Sequence, residues 1–509
     1  MQETHSRISK KEIEQMIDES LQRETAAATR WSTITEVASR LVLPLVNMAL
    51  ARLLTPEVFG VVATITMIVS FAEIFADAGF QKYIIQHEFK SEEELDLNTN
   101  VAFWTNLTVS LILWSVIYLC SEPLAKLVGN PGLGNVVAVA SLSLPVLAFS
   151  SIQMSRFKRD LDFKSLFYVR LISILVPIFV TIPLAIISRS YWALIIGTIA
   201  GNLSNAIVLA VRSRWRPQFH YSFVQLKRMF SYSWWILLES VTTWMTSYSD
   251  TFIVSVSLSA YYLGLYKTSM VTVNQIMGVI VAAASGPLFV ALSRLQNDRN
   301  GLVSTYNSFM RSLAFLIFPL SVGIWLFRDV ITLILLGSQW LEASDFIGLW
   351  GVLSSIALVL GTFANGLYNA IGKTFLSFTV SFVNLAIMIP LLFWAAPKGF
   401  ECVSVSRSML RISFVIIQLA AMAFFLKYPI GSLLKAIFPI TFPTFTMAVA
   451  GSLLRTISQS MLWNFICIIV CILVYFCSAR LIFKNELMRA FATLGFLPGK
   501  YLNTTNNGR

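Results

Sequence analysis

Apolar runs of about the twenty residues a membrane-crossing helix needs recur along this chain, separated by short spacers that hold most of its lysines and arginines. Fourteen such runs fall at 31–54, 58–79, 98–119, 134–154, 164–187, 191–211, 229–257, 261–290, 305–327, 344–371, 374–396, 401–426, 432–454 and 461–483. With 56% apolar and 13% charged residues, the 509-residue chain carries about half the charge of a soluble domain of its size. That excess of apolar surface needs lipid as its solvent, so the expected class is an all-α membrane protein.

The net charge of +12 follows the spacers. With the N-terminus on the cytoplasmic side, alternate connections and the two tails hold 26 basic residues. The opposite connections hold 6, namely Arg52, Lys126, Arg189, Arg328, Lys398 and Arg455. The positive-inside rule then places both termini in the cytoplasm and favours an even number of spans. Basic residues distributed in this way exclude nucleic acid as a partner, because no basic domain or zinc-finger pattern accompanies them. No aqueous segment is long enough to fold separately, so the chemistry is expected within the bilayer.

Cys120, Cys402, Cys467, Cys471 and Cys477 lie in or beside apolar runs, without a CxxC motif or a disulfide framework. His5, His87 and His220 are far apart. No metal site and no cofactor are expected. Residues 1–30 are polar, with Ile8, Ile13, Met16, Ile17 and Leu21 at helical spacing. They form an amphipathic cytoplasmic tail rather than a cleavable signal.

The expected organisation is two six-helix bundles and two further helices. Residues 31–211 form the first bundle, 212–228 a basic cytoplasmic linker and 229–426 the second bundle. The extra helices occupy 427–485, and 486–509 form a cytoplasmic tail. Pro44, Pro145, Pro177, Pro183, Pro287, Pro319 and Pro390 lie within spans and can bend them. Gly197 and Gly201 form a GxxxG step suited to close helix packing. The turn from Leu54 to Val62 (LTPEVFGVV) has a weak echo from Leu258 to Tyr266 (LSAYYLGLY). Such an echo fits a transporter built from repeats.

The run Leu50–Gly60 (LARLLTPEVFG), the stretch Phe71–Phe80 (FAEIFADAGF) and Ile84, Ile85 and Gln86 resemble the polysaccharide-transporter, or Wzx-like, family. That family belongs to the multidrug/oligosaccharidyl-lipid/polysaccharide (MOP) flippase superfamily, which also contains the multidrug and toxic-compound extrusion (MATE) transporters. The motif covers about residues 31–90. The resemblance implies two pseudo-symmetric six-helix bundles plus two C-terminal helices. It implies transport of an undecaprenyl-diphosphate-linked oligosaccharide to the outer leaflet of a bacterial inner membrane by alternating access. Its expected partners are the lipid-linked oligosaccharide, membrane lipids, and the polysaccharide polymerase and chain-length machinery. The product serves exopolysaccharide, capsule or O-antigen synthesis.

A diphosphate in transit needs fixed cations, and a charge inside a membrane is costly enough to mark a functional candidate. Arg40, Arg52, Lys267, Arg407 and Arg411 are the candidate cavity cations, with Arg407 and Arg411 on one helix face. Snorkelling or pairing with an acid is the competing reading, and it is preferred for Arg170 and Arg311. Glu36 lies four residues before Arg40, in position to pair with it. Asp77 and Asp250 are candidates for proton or sodium coupling, and pairing with a base is the alternative. Asn47, Trp244, Tyr248, Asn274, Asn365 and Asn369 are candidate sugar contacts, and bonding between helices is the commoner use of such residues. A drug or cation extruder would want an acidic cavity. A membrane enzyme of glycan assembly would want acids or histidines on a sizeable aqueous loop.

Overall fold

The computed structural model describes residues 10–213 and 215–482, with backbone alone over 10–29 and at 33, 37, 283, 374 and 482. Among them no strand occurs. The helices are α1 (Lys10–Leu53), α2 (Pro56–Asp77), α3 (Phe80–Gln86), α4 (Glu92–Leu119), α5 (Ser121–Leu127), α6 (Gly134–Ala140), α7 (Ser143–Arg159), α8 (Phe163–Ser188), α9 (Tyr191–Arg212) and α10 (Phe223–Ser257). They continue as α11 (Ala260–Arg294), α12 (Arg299–Leu326), α13 (Arg328–Leu335), α14 (Ser344–Ala357), α15 (Phe363–Ala370), α16 (Thr374–Ala395), α17 (Phe400–Leu426), α18 (Ile430–Arg455) and α19 (Met461–Ile482).

Twelve helical stretches are long and apolar enough to cross a membrane, and α11, bent by 44°, makes a thirteenth. The run expected at 229–257 lies in α10, which has the length, at 35 residues. Its apolar pattern is interrupted by Glu239, Asp250 and many Ser and Thr. Counting α10 with the thirteen gives fourteen rods in the expected order. Large apolar side chains such as Phe179, Ile187, Phe438 and Leu462 face outward, as a lipid solvent requires. The protein is a multi-pass membrane protein.

Several boundaries differ from the hydropathy reading because capping, rather than apolarity, sets helix ends. The third span begins at Glu92, where the Ser91 side chain accepts from the Glu94 amide and Glu94 accepts from the Lys90 amide. Asp298 and Asp162 cap α12 and α8 in the same way. The expected tenth span, 344–371, is α14 and α15 joined through a π-helical turn at Leu358–Thr362. There Thr362 donates back to the Ala357 carbonyl. Helix α1 runs unbroken across residues 30 and 31. The expected tail at 486–509 and the side chains of the amphipathic segment at 1–29 lie outside what is described.

Two compact units divide the described fold. One contains residues up to Val46, Ile65–Lys126 and Pro131–Thr243; the other contains Asn47–Thr64, Leu127–Asn130 and the chain from Trp244. The division passes through α1, α2 and α10. Residues 215–222 lie in the first unit and are pinned to α4. Asn100 accepts from the Gln218 amide at 2.8 Å, and the Trp104 indole donates to the Gln218 carbonyl at 2.8 Å.

In the first unit, α8 and α9 pack through the GxxxG step. A Cβ on Gly197 would lie 1.8 Å from the Thr181 hydroxyl, and one on Gly201 would lie 2.6 Å from the Pro177 ring. Phe80, Tyr83, Phe103, Ile152 and Trp215 form a core beside it. In the second unit, one core joins α11, α12, α15, α18 and α19, and another joins parts of α10, α11, α14, α16 and α17.

The echoed turns meet within the second unit. A Cβ on Gly60 would stand 1.8 Å from the Ala260 carbonyl, and one on Gly264 would stand 1.8 Å from the Pro56 carbonyl. Each glycine thus faces the residue four positions before the other, a reciprocal contact. Lipid supplies little hydrophobic force between helices, so backbone-to-backbone approach of this kind supplies the packing instead.

Candidate functional site

The second core supports a cluster of charges inside the helices. Asp250 lies seven residues from the end of α10 at Ser257, and Lys267 seven residues after the start of α11 at Ala260. The same interval separates Arg407 from the start of α17 at Phe400. Seven residues of helix rise about 10 Å, which puts all three at one depth.

The Asp250 side chain is only 2% exposed. Its Oδ1 accepts from Lys267 Nζ at 3.3 Å and from Thr251 at 3.1 Å. Its Oδ2 accepts from the Tyr266 hydroxyl at 3.0 Å and from Arg407 Nε at 3.3 Å. Arg407 Nε also approaches the Tyr266 hydroxyl at 3.2 Å. One turn further, Arg411 holds its guanidinium carbon 4.3 Å from the centre of the Trp350 ring, and Arg407 shares that ring at 5.2 Å. Arg411 Nε is buried without a hydrogen-bond partner. Lys267 lies 5.7 Å from the Tyr248 ring, which stacks on Trp244.

Lys267, Arg407 and Arg411 against Asp250 leave a net charge of two positive. Burying charge without compensation is expensive, and one carboxylate cannot offset three cations. Trp350 supplies a π face, but no second acid joins the cluster among the described residues. The arrangement therefore favours an added anion. Two guanidinium groups a helical turn apart, with an ammonium beside them, suit a phosphate group.

The structure thus brings together Lys267, Asp250, Arg407, Arg411, Trp244 and Tyr248 from the sequence candidates. Two expected free cations are engaged elsewhere. Arg40 pairs with Glu36 at 2.7 Å, the alternative its spacing allowed. Arg52 donates to the Ile334 carbonyl at 2.5 Å, satisfying a carbonyl in the last turn of α13. Asn365 accepts from Gln418, which accepts from Tyr368, so it bonds α15 to α17. Asn274 and Asn369 are exposed and Asn47 is partly buried. Asp77 belongs to the first unit, with Oδ1 buried and unpartnered.

Tyr266 and Trp350 were not among the candidates. Tyr266 carried a signal, since it precedes Lys267 and ends the repeated turn. Trp350 carried none, because an aromatic residue in an apolar run looks like packing until its neighbours are known.

Comparison with known proteins agrees with this architecture. Residues 49–345 match the family described as "Polysaccharide biosynthesis protein". The succinoglycan biosynthesis transport protein ExoT of Rhizobium meliloti (strain 1021) is 25% identical over 62% of this chain and 63% of its own length. The match therefore spans less than two thirds of that relative. The lipopolysaccharide biosynthesis protein WzxC of Escherichia coli (strain K12) is 22% identical over 73% of this chain and 75% of its own. Among solved structures, the lipid II flippase MurJ in an inward closed conformation superposes with a TM-score of 0.71 at 17% identity, covering 90% of this chain and all of that one. An inward-facing MATE-family multidrug transporter of the MOP superfamily gives 0.59 at 13% identity, over 79% of this chain and 99% of that one. These structures show the fold, and the family match spans more than half of the chain. The protein belongs to the polysaccharide biosynthesis protein family, with a MOP-type fold.

Proposed function

We propose that the protein is a flippase that carries a polyprenyl-diphosphate-linked oligosaccharide across the bacterial inner membrane for polysaccharide synthesis. The observation that carries this reading is the buried cluster around Asp250, with three cations, one acid and an unpartnered Arg411 Nε. The family membership and the names of the relatives support it. Both termini lie in the cytoplasm on this reading, so the cluster is about 10 Å below the outer surface. The protein is a transporter rather than an enzyme, and it delivers its cargo to a polymerase and chain-length machinery.

In the absence of cargo, Asp250 orients Lys267 and Arg407 and reduces their mutual repulsion. A diphosphate first meets Arg411, whose Nε has no competing acceptor. It then competes with Asp250 for Arg407 and Lys267, and leaves as the carboxylate returns. Trp244 and Tyr248 offer a stacked aromatic surface to a sugar face beside Lys267. A proton or sodium ion coupled to this cycle would act at Asp250, where charge lost by the acid weakens its hold on both cations, or at Asp77.

Reconstitution into liposomes with a fluorescent polyprenyl-diphosphate glycan tests the reading. Wild-type protein should move the glycan between leaflets. Arg411→Gln should slow that movement by about tenfold to a hundredfold, the worth of one hydrogen bond to a charged group. Export of cationic dyes by protein that leaves the glycan in place would instead favour an extruder. The net positive charge of the cluster argues against that alternative, because it repels a cation.

A further inference from the structure

A charged cavity, of about 520 Å³, opens in the first unit, where α7 ends, α8 begins and α9 ends. Three helix ends on one side place it at the level of lipid headgroups, on the face that the basic connections assign to the cytoplasm. Its lining includes Arg156, Asp160, Asp162, Arg212 and Trp215.

The charges are unevenly engaged. Arg156 is held by Asp96 at 2.7 Å, with Glu92 at 3.7 Å. Asp162 Oδ1 accepts from the Ser165 amide and caps α8. Arg212 is exposed, its guanidinium carbon 5.1 Å from the centre of the Tyr168 ring. Asp160 is exposed at the cavity rim, and its carboxyl is held above its ordinary range by partial desolvation and by the neighbouring acids Glu92 and Asp162, against the pull of Arg156 and Arg159. One wall therefore gains from a cation, and Arg212 gains from an anion. Trp215, a buried residue of the lining, packs edge-on against Phe103.

We propose that this cavity binds the headgroup of a zwitterionic phospholipid that carries a phosphate and a primary ammonium, with the phosphate on Arg212 and the ammonium on Asp160. A primary ammonium has three N–H donors for a carboxylate wall, whereas a quaternary one has none. The site is separate from the Asp250 cluster, and its failure would leave the proposed transport activity standing.

The test is native mass spectrometry of the full-length protein with equal amounts of ethanolamine-, choline- and glycerol-headgroup phospholipids of one acyl composition. Wild-type protein should retain the ethanolamine lipid about tenfold over the choline lipid, the worth of one charge-assisted hydrogen bond. Asp160→Asn should abolish that preference, and Asp160→Glu should keep it. Arg212→Gln should reduce retention of all three lipids, and Arg212→Lys should restore it. Equal retention by wild-type protein, or a preference unchanged in Asp160→Asn, would overturn the proposal. Displacement of the lipid by soluble phosphoethanolamine at matching concentration would assign the cavity to a water-borne ligand and overturn the lipid assignment.

Discussion

Asp250→Ala should remove the only carboxylate that Lys267 and Arg407 share in the described structure, leaving two largely buried cations and the Tyr266 hydroxyl without it. Breaking a buried ion pair from one side costs about 3–5 kcal/mol, so a marked fall in the detergent-solubilised melting temperature is expected. Adding Lys267→Met should recover part of the loss, since it removes one uncompensated charge. A double mutant no more stable than Asp250→Ala would mean that the pair is not a coupled unit. Outside the spans, the partly exposed Glu122 accepts from the amides of Gly132 and Gly134 at 2.8 and 3.1 Å. The Gly132 bond, with help from Gly134 and Lys126, lowers its pKa. A folded pKa below the unfolded one means that the stabilisation is complete above the ordinary carboxylate range and is lost as pH falls through the lowered value. Hydrogen exchange at Gly132 and Gly134, corrected for its intrinsic pH dependence, should therefore quicken on acidification. Glu122→Gln should flatten that response, and an unchanged response would assign it to another group.

At the scale of elements, the reciprocal glycine contact makes a sharp demand. Gly60→Ala or Gly264→Ala drives a methyl group into a backbone carbonyl that has no rotamer with which to escape. Overpacking costs about 1–3 kcal/mol where side chains can shift, and here the cost should reach or exceed the upper end. Gly323→Ala in α12 meets nothing within 4 Å. It should be neutral, or stabilising by up to about 1 kcal/mol through helix propensity. Equal melting temperatures for Gly60→Ala and Gly323→Ala would show that α2 and α11 do not approach this closely. The same contact explains the sequence echo: two turns that must each present a glycine to the other keep similar spacing. Arg52, a candidate cavity cation from the motif, ties the end of α1 to α13 through its bond to the Ile334 carbonyl.

For the molecule as a whole, the distribution of basic connections makes orientation testable. With the five native cysteines replaced, Lys126→Cys should react with a membrane-impermeant maleimide added to spheroplasts, and His220→Cys should react only after permeabilisation. Both positions are exposed, so burial does not confound the comparison. The reverse pattern would invert the topology and move the Asp250 cluster to the cytoplasmic half of the membrane. It would leave the fold itself unaffected.

The sequence alone determined the class, the order of the rods and the charged residues worth testing. Hydropathy is a property of local composition, and the cost of dehydrating charge applies wherever a helix crosses lipid. It also held the Glu36–Arg40 pair, because four residues of helix fix that geometry without any neighbour. Helix ends were less legible where capping by Ser91 or Asp298 carried a helix beyond its apolar run. Only the tertiary structure decided that Asp250, Lys267 and Arg407 meet at one depth, that Trp350 underlies two arginines and that Asn365 serves α17. Those partners lie on helices far apart in the chain, and the direction in which each rod faces is set by packing that no local pattern records.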